Sequence, residues 1–242
     1  MNLLDFKNRE KISYLEWYDI IIITLILWTV GIVSSTRAYI DLIHGETSIA
    51  ENLIFTTSDN YIIFAMQAVL LLAVLIYLYL RRFDFKIWTI QFKLKDIVYG
   101  VFIFIVAALM LDIYFIITGP LESILPFPGP IGGFFANETV SSVIYGALNG
   151  VYEELYFLGI CLSVRKENLK WVLPFSLVVR TSFHTYQGMI SALGIGILFG
   201  LFLYFLYTKS KSKNLVPFFV AHALGDVFGV GLFYIVSRII EV

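Results

Sequence analysis

Long apolar segments constrain the fold of this chain more than any other feature. Segments near the ~20 residues that a helix needs to cross a bilayer fall at residues 17–35, 61–80, 97–118, 140–163, 170–187, 188–207 and 215–237. Only 14% of the residues are charged, against about one quarter in a typical soluble domain. The sequence therefore predicts an all-α polytopic membrane protein with about seven transmembrane helices.

Two regions interrupt this pattern. Arg180, His184 and Gln187 break the fifth span, which predicts a short helix ending near Tyr186. The loop at 119–139 is rich in Pro, Gly and Phe and forms either a connection or an interfacial lid. If that loop re-enters the membrane, the number of spans becomes eight. We divide the chain into residues 1–139, the N-terminal membrane helices with this loop, and residues 140–242, a helical core.

Basic residues are concentrated on one side of the predicted spans. They precede span one, lie between spans two and three, and follow spans four and six; the other side carries little besides Arg37, with Arg238 near the C-terminus. Cytoplasmic loops are enriched in Lys and Arg, so the N-terminus is expected in the cytoplasm and the C-terminus outside. The expected location is the cell membrane, as a multi-pass protein.

Composition excludes several other classes. The net charge of −1 says nothing about nucleic acid, but the sequence has no basic stripe, so no nucleic-acid partner is expected. Cys161 is the only cysteine, so the chain has no intrachain disulfide framework. The expected partners are the lipid bilayer and a peptide or protein at the membrane, and the sequence leaves the oligomeric state open.

Ionisable residues inside the spans are few, and they mark a candidate site. They are Asp112, Glu153, Glu154, Arg180, His184, His222 and Asp226. Each carboxylate at the centre of a bilayer costs about 2.5–3.5 kcal/mol on insertion scales, so the adjacent pair at 153 and 154 requires an explanation. A structural ion pair is the simplest one, but adjacent residues point about 100° apart on a helix, and one partner can hardly satisfy both.

Helical spacing groups these residues further. Arg180 and His184 are four residues apart, as are His222 and Asp226, so each pair shares a helix face. Asp226 is expected to fix the ring of His222, as carboxylates next to functional histidines often do. Glu and two His on three helices provide either metal ligands or a general base with an oxyanion partner.

Glycines recur at four-residue spacing in spans four, six and seven. The pairs are Gly146/Gly150, Gly196/Gly200 and Gly225/Gly229. Small residues at this spacing allow helices to approach closely in lipid, so we interpret them as packing positions.

At these polar residues the chain resembles the CPBP family, the CAAX-processing and bacteriocin-processing intramembrane proteases (Abi, or type II CAAX prenyl endopeptidase-like). The family carries EExxxR, FxxxH and Hxxx(N/D) motifs on successive helices. Glu153-Glu154 matches the first motif, with Leu158 in place of its Arg. His184 matches the second, with Arg180 at the Phe position, and His222 with Asp226 matches the third fully. The resemblance covers roughly residues 140–230.

The resemblance implies a catalytic cavity open towards the cytoplasmic side and an endopeptidase activity, in peptide maturation or bacteriocin immunity. It implies that Glu153 activates water and that Glu154 supports it. His184 would be a metal ligand or base partner, and His222 with Asp226 would polarise the scissile carbonyl or complete a metal site. A divalent metal such as zinc, held by Glu153, His184 and His222, remains one alternative, and a metal-free glutamate protease the other.

The missing Arg at position 158 predicts a compensating contact. Arg180 is the only basic residue deep inside a span, and it lies on the helix after the glutamates. An unpaired charge is costly at that depth, so we expect an ion pair between Arg180 and Glu154, with Asp112 as the rival partner. Other functions considered are a non-catalytic membrane scaffold that modulates a sensor or envelope enzyme, and a proton-coupled transporter.

Overall fold

The structure, a computed structural model, describes residues 10–124, 139–233, 236 and 240, without the side chains of residues 122 and 123. The described residues form helices and no strands. The helices are α1 (Trp17–His44), α2 (Ile49–Asn52), α3 (Thr57–Leu80), α4 (Leu94–Thr118), α5 (Val140–Glu154), α6 (Leu169–Ser182), α7 (Met189–Lys209) and α8 (Val216–Phe228). Short 3-10 helices lie at Phe85–Ile87, Gly119–Ser123, Lys166–Asn168 and Thr185–Gln187.

Long apolar helices confirm the all-α polytopic membrane fold. In the described residues, four are long and apolar enough to cross a membrane, and these are α1, α3, α7 and Leu94–Leu121, which extends α4. The other three predicted spans correspond to α5, α6 and α8, which are shorter. Residues 125–138, where an eighth span was considered, lie outside the described residues.

The fifth predicted span is a short helix followed by a turn, as its polar residues indicated. Helix α6 ends at Ser182, and a 3-10 turn at Thr185–Gln187 leads to Gly188, which has φ 83° and ψ 150°. Only glycine adopts this backbone conformation without strain, so Gly188 lets the chain reverse into α7. The turn holds His184 at the end of α6 rather than in the middle of a continuous span.

Two of the three glycine pairs lie at close helix contacts. A Cβ atom on Gly150 would lie 2.6 Å from the carbonyl oxygen of Phe219, and one on Gly146 would lie 3.1 Å from Cβ of Asp226. These glycines let α5 approach α8 closely, and Gly196 and Gly200 do the same for α7 against α6.

The third glycine pair has a different role from the predicted one. A Cβ atom on Gly225 would have only Val230 near it, at 3.9 Å. Gly229 ends α8 with φ 84°, a conformation that favours glycine. Gly229 therefore terminates α8, and Gly225 makes no close contact with another helix. The prediction of close helix packing was wrong for this pair.

The segments that carry the basic residues form a layer across one end of the helices. Leu15 N donates to Ser163 O at 2.6 Å, Asp84 N donates to Ile12 O at 2.9 Å, and Leu215 N donates to Thr89 O at 2.9 Å. Isolated bridges of β type accompany these bonds. The irregular chain at this end of the protein is therefore hydrogen-bonded to itself instead of lying loosely at the bilayer surface.

Candidate active site

The end of α5 positions the two glutamates. Glu153 and Glu154 are its last two residues, and the chain continues as a π-helical stretch at Leu155–Ile160. Their exposed fractions are 3% and 0%. Short π-helical stretches inside helices frequently occur at functional sites. Both carboxylates are therefore removed from water and need partners within the protein.

Glu154 is held by two cationic or polar donors. Arg180 Nη2 lies 2.7 Å from Glu154 Oε1, which is the ion pair that the sequence predicts. His222 Nδ1 lies 2.6 Å from the same oxygen. The guanidinium carbon of Arg180 also lies 4.0 Å from the ring centroid of Phe157, within the range of a cation–π contact. These contacts fix Glu154 and leave it little freedom for chemistry.

Glu153 has one engaged oxygen and one without a hydrogen bond. Asn149 Nδ2 donates to Glu153 Oε1 at 3.0 Å. Among the described residues, Glu153 Oε2 has no hydrogen-bond partner, and it lies 3.5 Å from His222 Nε2. Glu154 Oε2 also lacks a hydrogen bond among the described residues, but only Glu153 borders a cavity, so Glu153 is the reactive candidate of the pair.

The ring of His222 is fixed differently from the prediction. Asp226 Oδ1 lies 3.7 Å from His222 Nε2, beyond hydrogen-bond range, whereas Glu154 Oε1 lies 2.6 Å from Nδ1. The prediction that Asp226 orients His222 was therefore wrong. A carboxylate paired with arginine accepts hydrogen bonds, so His222 carries a proton on Nδ1 and turns Nε2 towards Glu153.

His184 completes the polar wall from the end of α6. Its Nδ1 lies 2.8 Å from the carbonyl oxygen of Arg180. Because a carbonyl oxygen only accepts, the proton is on Nδ1, and Nε2 of the neutral ring keeps a lone pair. His184 is 7% exposed and borders the same cavities as Asp226.

Two cavities share His184 and Asp226 among the residues that border them. The larger, of about 440 Å³, is bordered by Glu153, His184 and Asp226, and the smaller, of about 60 Å³, by His184, His222 and Asp226. The larger cavity lies between the glutamates and the helix ends opposite the basic segments, where it reaches Asn52 and Phe55. The resemblance implied an opening on the side of the basic segments, and the structure differs from that expectation.

The geometry of possible metal ligands differs from the expected set. Of the described residues, Glu153, Glu154 and His222 have ligand atoms within 4.8 Å of one another, and His184 is not part of that group. His184 lies just past the end of α6, immediately before the 3-10 turn at Thr185–Gln187. Glu154 Oε1 is already engaged by Arg180 and His222.

Asp112 takes no part in this network. Its Oδ2 accepts a hydrogen bond from the backbone N of Phe233 at 3.0 Å. Arg180 therefore pairs with Glu154 and not with Asp112.

Sequence reasoning missed two amides next to the carboxylates. Asn149 Nδ2 donates to both Glu153 Oε1 and Asp226 Oδ2, at 3.0 and 2.9 Å, and Gln67 Nε2 donates to Asn149 Oδ1 at 2.6 Å. The last bond fixes which end of the Asn149 amide faces the carboxylates. The available signal was the position of Asn149, one helical turn before Glu153 on the same face.

We expect Asn149→Leu to lower the rate of any Glu153-dependent reaction by about 10–100-fold, because hydrogen bonds to charged groups are worth about 1.5–3 kcal/mol. Asn60→Leu is the matched control. Asn60 Nδ2 donates to Ser141 Oγ at 3.1 Å. Like the bond between Gln67 and Asn149, this bond links α3 to α5, but it involves no carboxylate. Initial rates of both variants at equal amounts of folded protein test this, and equal losses would contradict a positioning role for Asn149.

Comparison with known proteins identifies the domain that carries this site. A search of curated proteins and of solved structures finds no significant match. The family model described as type II CAAX prenyl endopeptidase Rce1-like matches residues 135–228. This stretch contains both glutamates, both site histidines, Arg180 and Asp226. The chain therefore carries, over residues 135–228, a domain of the type II CAAX prenyl endopeptidase Rce1-like family, which confirms the family that its motifs predicted.

Proposed function

We propose that this protein is an intramembrane endopeptidase that hydrolyses a peptide bond of a membrane-associated peptide through a water activated by Glu153. One observation carries the proposal. Glu153 Oε2 is buried beside a cavity of about 440 Å³ and accepts no hydrogen bond from a described residue. The neighbouring Glu154 is ion-paired with Arg180. Glu153 is thus the carboxylate that is free to accept a proton from water.

The two glutamates have different roles in this mechanism. Glu153 takes a proton from the attacking water and delivers it to the amine of the leaving peptide, so that the general base becomes a general acid. Glu154 stays ionised beside Arg180 and holds His222 by its Nδ1 proton. Glu154 is therefore a positioning residue, and Glu153 is the catalytic one.

The histidines stabilise the other charges that form. His222 Nε2 lies 3.5 Å from Glu153 Oε2, and in the protonated ring it donates to the oxyanion that develops on the scissile carbonyl. His184 keeps a lone pair on Nε2 in its neutral form and accepts a hydrogen bond from the water. Asp226 Oδ2 accepts a hydrogen bond from Asn149 at 2.9 Å, and its Oδ1 lies 3.7 Å from His222 Nε2.

The same donors fit a divalent metal. Ligands about 2.0–2.1 Å from a tetrahedral zinc ion lie roughly 3.3–3.4 Å apart, close to the 3.5 Å between Glu153 Oε2 and His222 Nε2. Glu153 and His222 would hold the ion, with His184 as the neighbouring imidazole. A zinc ion bound there would lower the pKa of its water to about 7.

The test is a comparison of peptides in the membrane fraction and medium of cells that carry the wild type or Glu153→Ala. We expect at least one peptide to accumulate in unprocessed form only with the variant. Glu167→Ala, the same change on an exposed loop, is the control. Identical peptide sets from all three strains would contradict the proposal and favour a non-catalytic scaffold.

A further inference from the structure

The side from which the site is reached follows from charge, packing and cavity shape together. All but three of the 17 Lys and Arg residues lie before α1, between α3 and α4, between α5 and α6, or between α7 and α8, or in the adjoining helical turns. The exceptions are Arg37, Arg180 and Arg238. This asymmetry assigns the basic end to the cytoplasm.

The cytoplasmic end is closed beneath the glutamates. Tyr156, Ile160 and Cys161 follow Glu153 towards that end, are each 0% exposed, and belong to one buried cluster with Leu15 and Phe83. The indole nitrogen of Trp88 donates to Gly159 O at 3.2 Å and to Ser163 Oγ at 3.1 Å. The hydrogen-bonded layer of basic segments covers this cluster. None of the described residues that border either cavity comes from those segments.

The opposite end holds the path to the site. The larger cavity is bordered by Glu153 and also by Ser142, which lies 11 residues earlier on α5, so it extends about 16 Å along that helix at 1.5 Å per residue. Its far end is bordered by Asn52, the last residue of α2, and by Phe55, in the connection between α2 and α3. That connection joins the helix ends that lie away from the basic segments.

The charges of the cavity favour one kind of peptide. The described residues that border the larger cavity include no Lys or Arg, and its acidic groups are Glu153 and Asp226. The terminal carboxylate of a bound peptide would find no cationic partner there and would be repelled by these groups. Seryl and tyrosyl side chains supply hydrogen bonds for an uncharged backbone, among them Ser34 and Tyr145.

We propose that the site takes its substrate from the extracytoplasmic side, and that the substrate is an internal segment of an exported peptide or of the outer end of a membrane protein. This proposal rests on the proposed function and defines its substrate class. Prenylated C-terminal tails of cytosolic proteins would have to cross the closed cytoplasmic layer, so they are not substrates.

Cysteine labelling of the full-length protein in intact cells tests the side of access. Cys161 is the only native cysteine and is buried, so the wild type provides the unlabelled background. We expect a sulfonated maleimide that does not cross membranes to label Ser34→Cys, in the cavity, as strongly in intact cells as after permeabilisation. Ser212→Cys, an exposed position between α7 and α8, should be labelled only after permeabilisation. Ala38→Cys, one turn further along α1 and also bordering the cavity, replaces Ser34→Cys if that variant does not fold.

Labelling of the cavity cysteine only after permeabilisation, or in neither case, would overturn the proposal. Labelling of Ser212→Cys in intact cells would also overturn it, because the assigned orientation would be reversed. This result is independent of hydrolysis. Expected labelling with identical peptide sets from the wild type and Glu153→Ala would refute the proposed function and leave the side of access intact.

Discussion

Glu153→Gln is expected to lower the rate of peptide cleavage by about 10²–10⁴-fold, the range that general acid–base catalysis contributes. Glutamine keeps the oxygen that accepts from Asn149 at 3.0 Å, so the local hydrogen bond is preserved. It removes the ability to take a proton from water. The loss should therefore appear in the rate constant, with membrane insertion and unfolding temperature near those of the wild type.

Glu154→Gln distinguishes the role of Glu154 from that of Glu153. Glu154 accepts from Arg180 and His222 at 2.7 and 2.6 Å, so this change leaves a buried guanidinium without its counter-charge and lowers stability as well as activity. Glu167→Gln, at an exposed position between α5 and α6, is the control and should change neither stability nor activity. The measurements are single-turnover cleavage of the accumulated peptide and thermal unfolding in detergent. Full cleavage by Glu153→Gln would refute the assignment of the general base.

The fold was predictable because apolar length is a strong signal in this sequence. The spans could be located from hydrophobicity alone, and the polar residues at 180, 184 and 187 correctly marked the interrupted one. The Arg180–Glu154 pair was also predictable, because a lone charge inside a membrane protein needs a partner and few were available. These inferences rest on the free-energy cost of placing polar or charged groups inside a bilayer, which applies to any membrane protein.

Contacts between helices were less predictable. His222 and Asp226 share a helix face, but Glu154 on another helix lies closer to the imidazole, at 2.6 Å against 3.7 Å. Helical spacing predicts which residues share a helix face, but it does not predict which of two carboxylates lies closer to the imidazole. Asn149 was missed for the same reason, since its value comes from Gln67 and Asp226 on neighbouring helices.

The hydrogen-bonded layer of basic segments had no sequence signal at all. It is made by irregular segments whose pairings, such as Leu15 with Val164 and Thr89 with Asn214, join distant parts of the chain. The basic residues of these segments predict the side of the membrane on which the segments lie. They do not reveal that the segments cover the helix ends and leave the cavity to the other side.

Arg180 is the residue whose removal is expected to affect the whole protein most. Its side chain is 1% exposed and that of Glu154 is 0% exposed, and breaking such a buried pair on one side costs about 3–5 kcal/mol. Arg180→Leu should therefore lower the unfolding temperature clearly and abolish most cleavage, because Glu154 would no longer be held ionised beside His222. Arg165→Leu is the matched control. Arg165 pairs with Glu16 at 3.1 Å on the surface, with side chains 44% and 31% exposed, and such pairs are worth only about 0–1 kcal/mol.

Placing an arginine at position 158 in the Arg180→Leu variant distinguishes the effect of the lost ion pair from the effect of the lost side-chain packing. Leu158 lies one turn after Glu154 and is 3% exposed, and the family motif has its Arg there. An arginine at 158 can approach Glu154 within one helix, since residues four apart are neighbours. We expect Leu158→Arg to recover part of both stability and cleavage in the Arg180→Leu background, and to add nothing in the wild type, where Glu154 is already paired. If cleavage in Arg180→Leu equals that of the wild type, the ion pair has no role in the reaction. If the double variant is no better than Arg180→Leu, the loss comes from the packing of Arg180 against Phe157 and not from its charge.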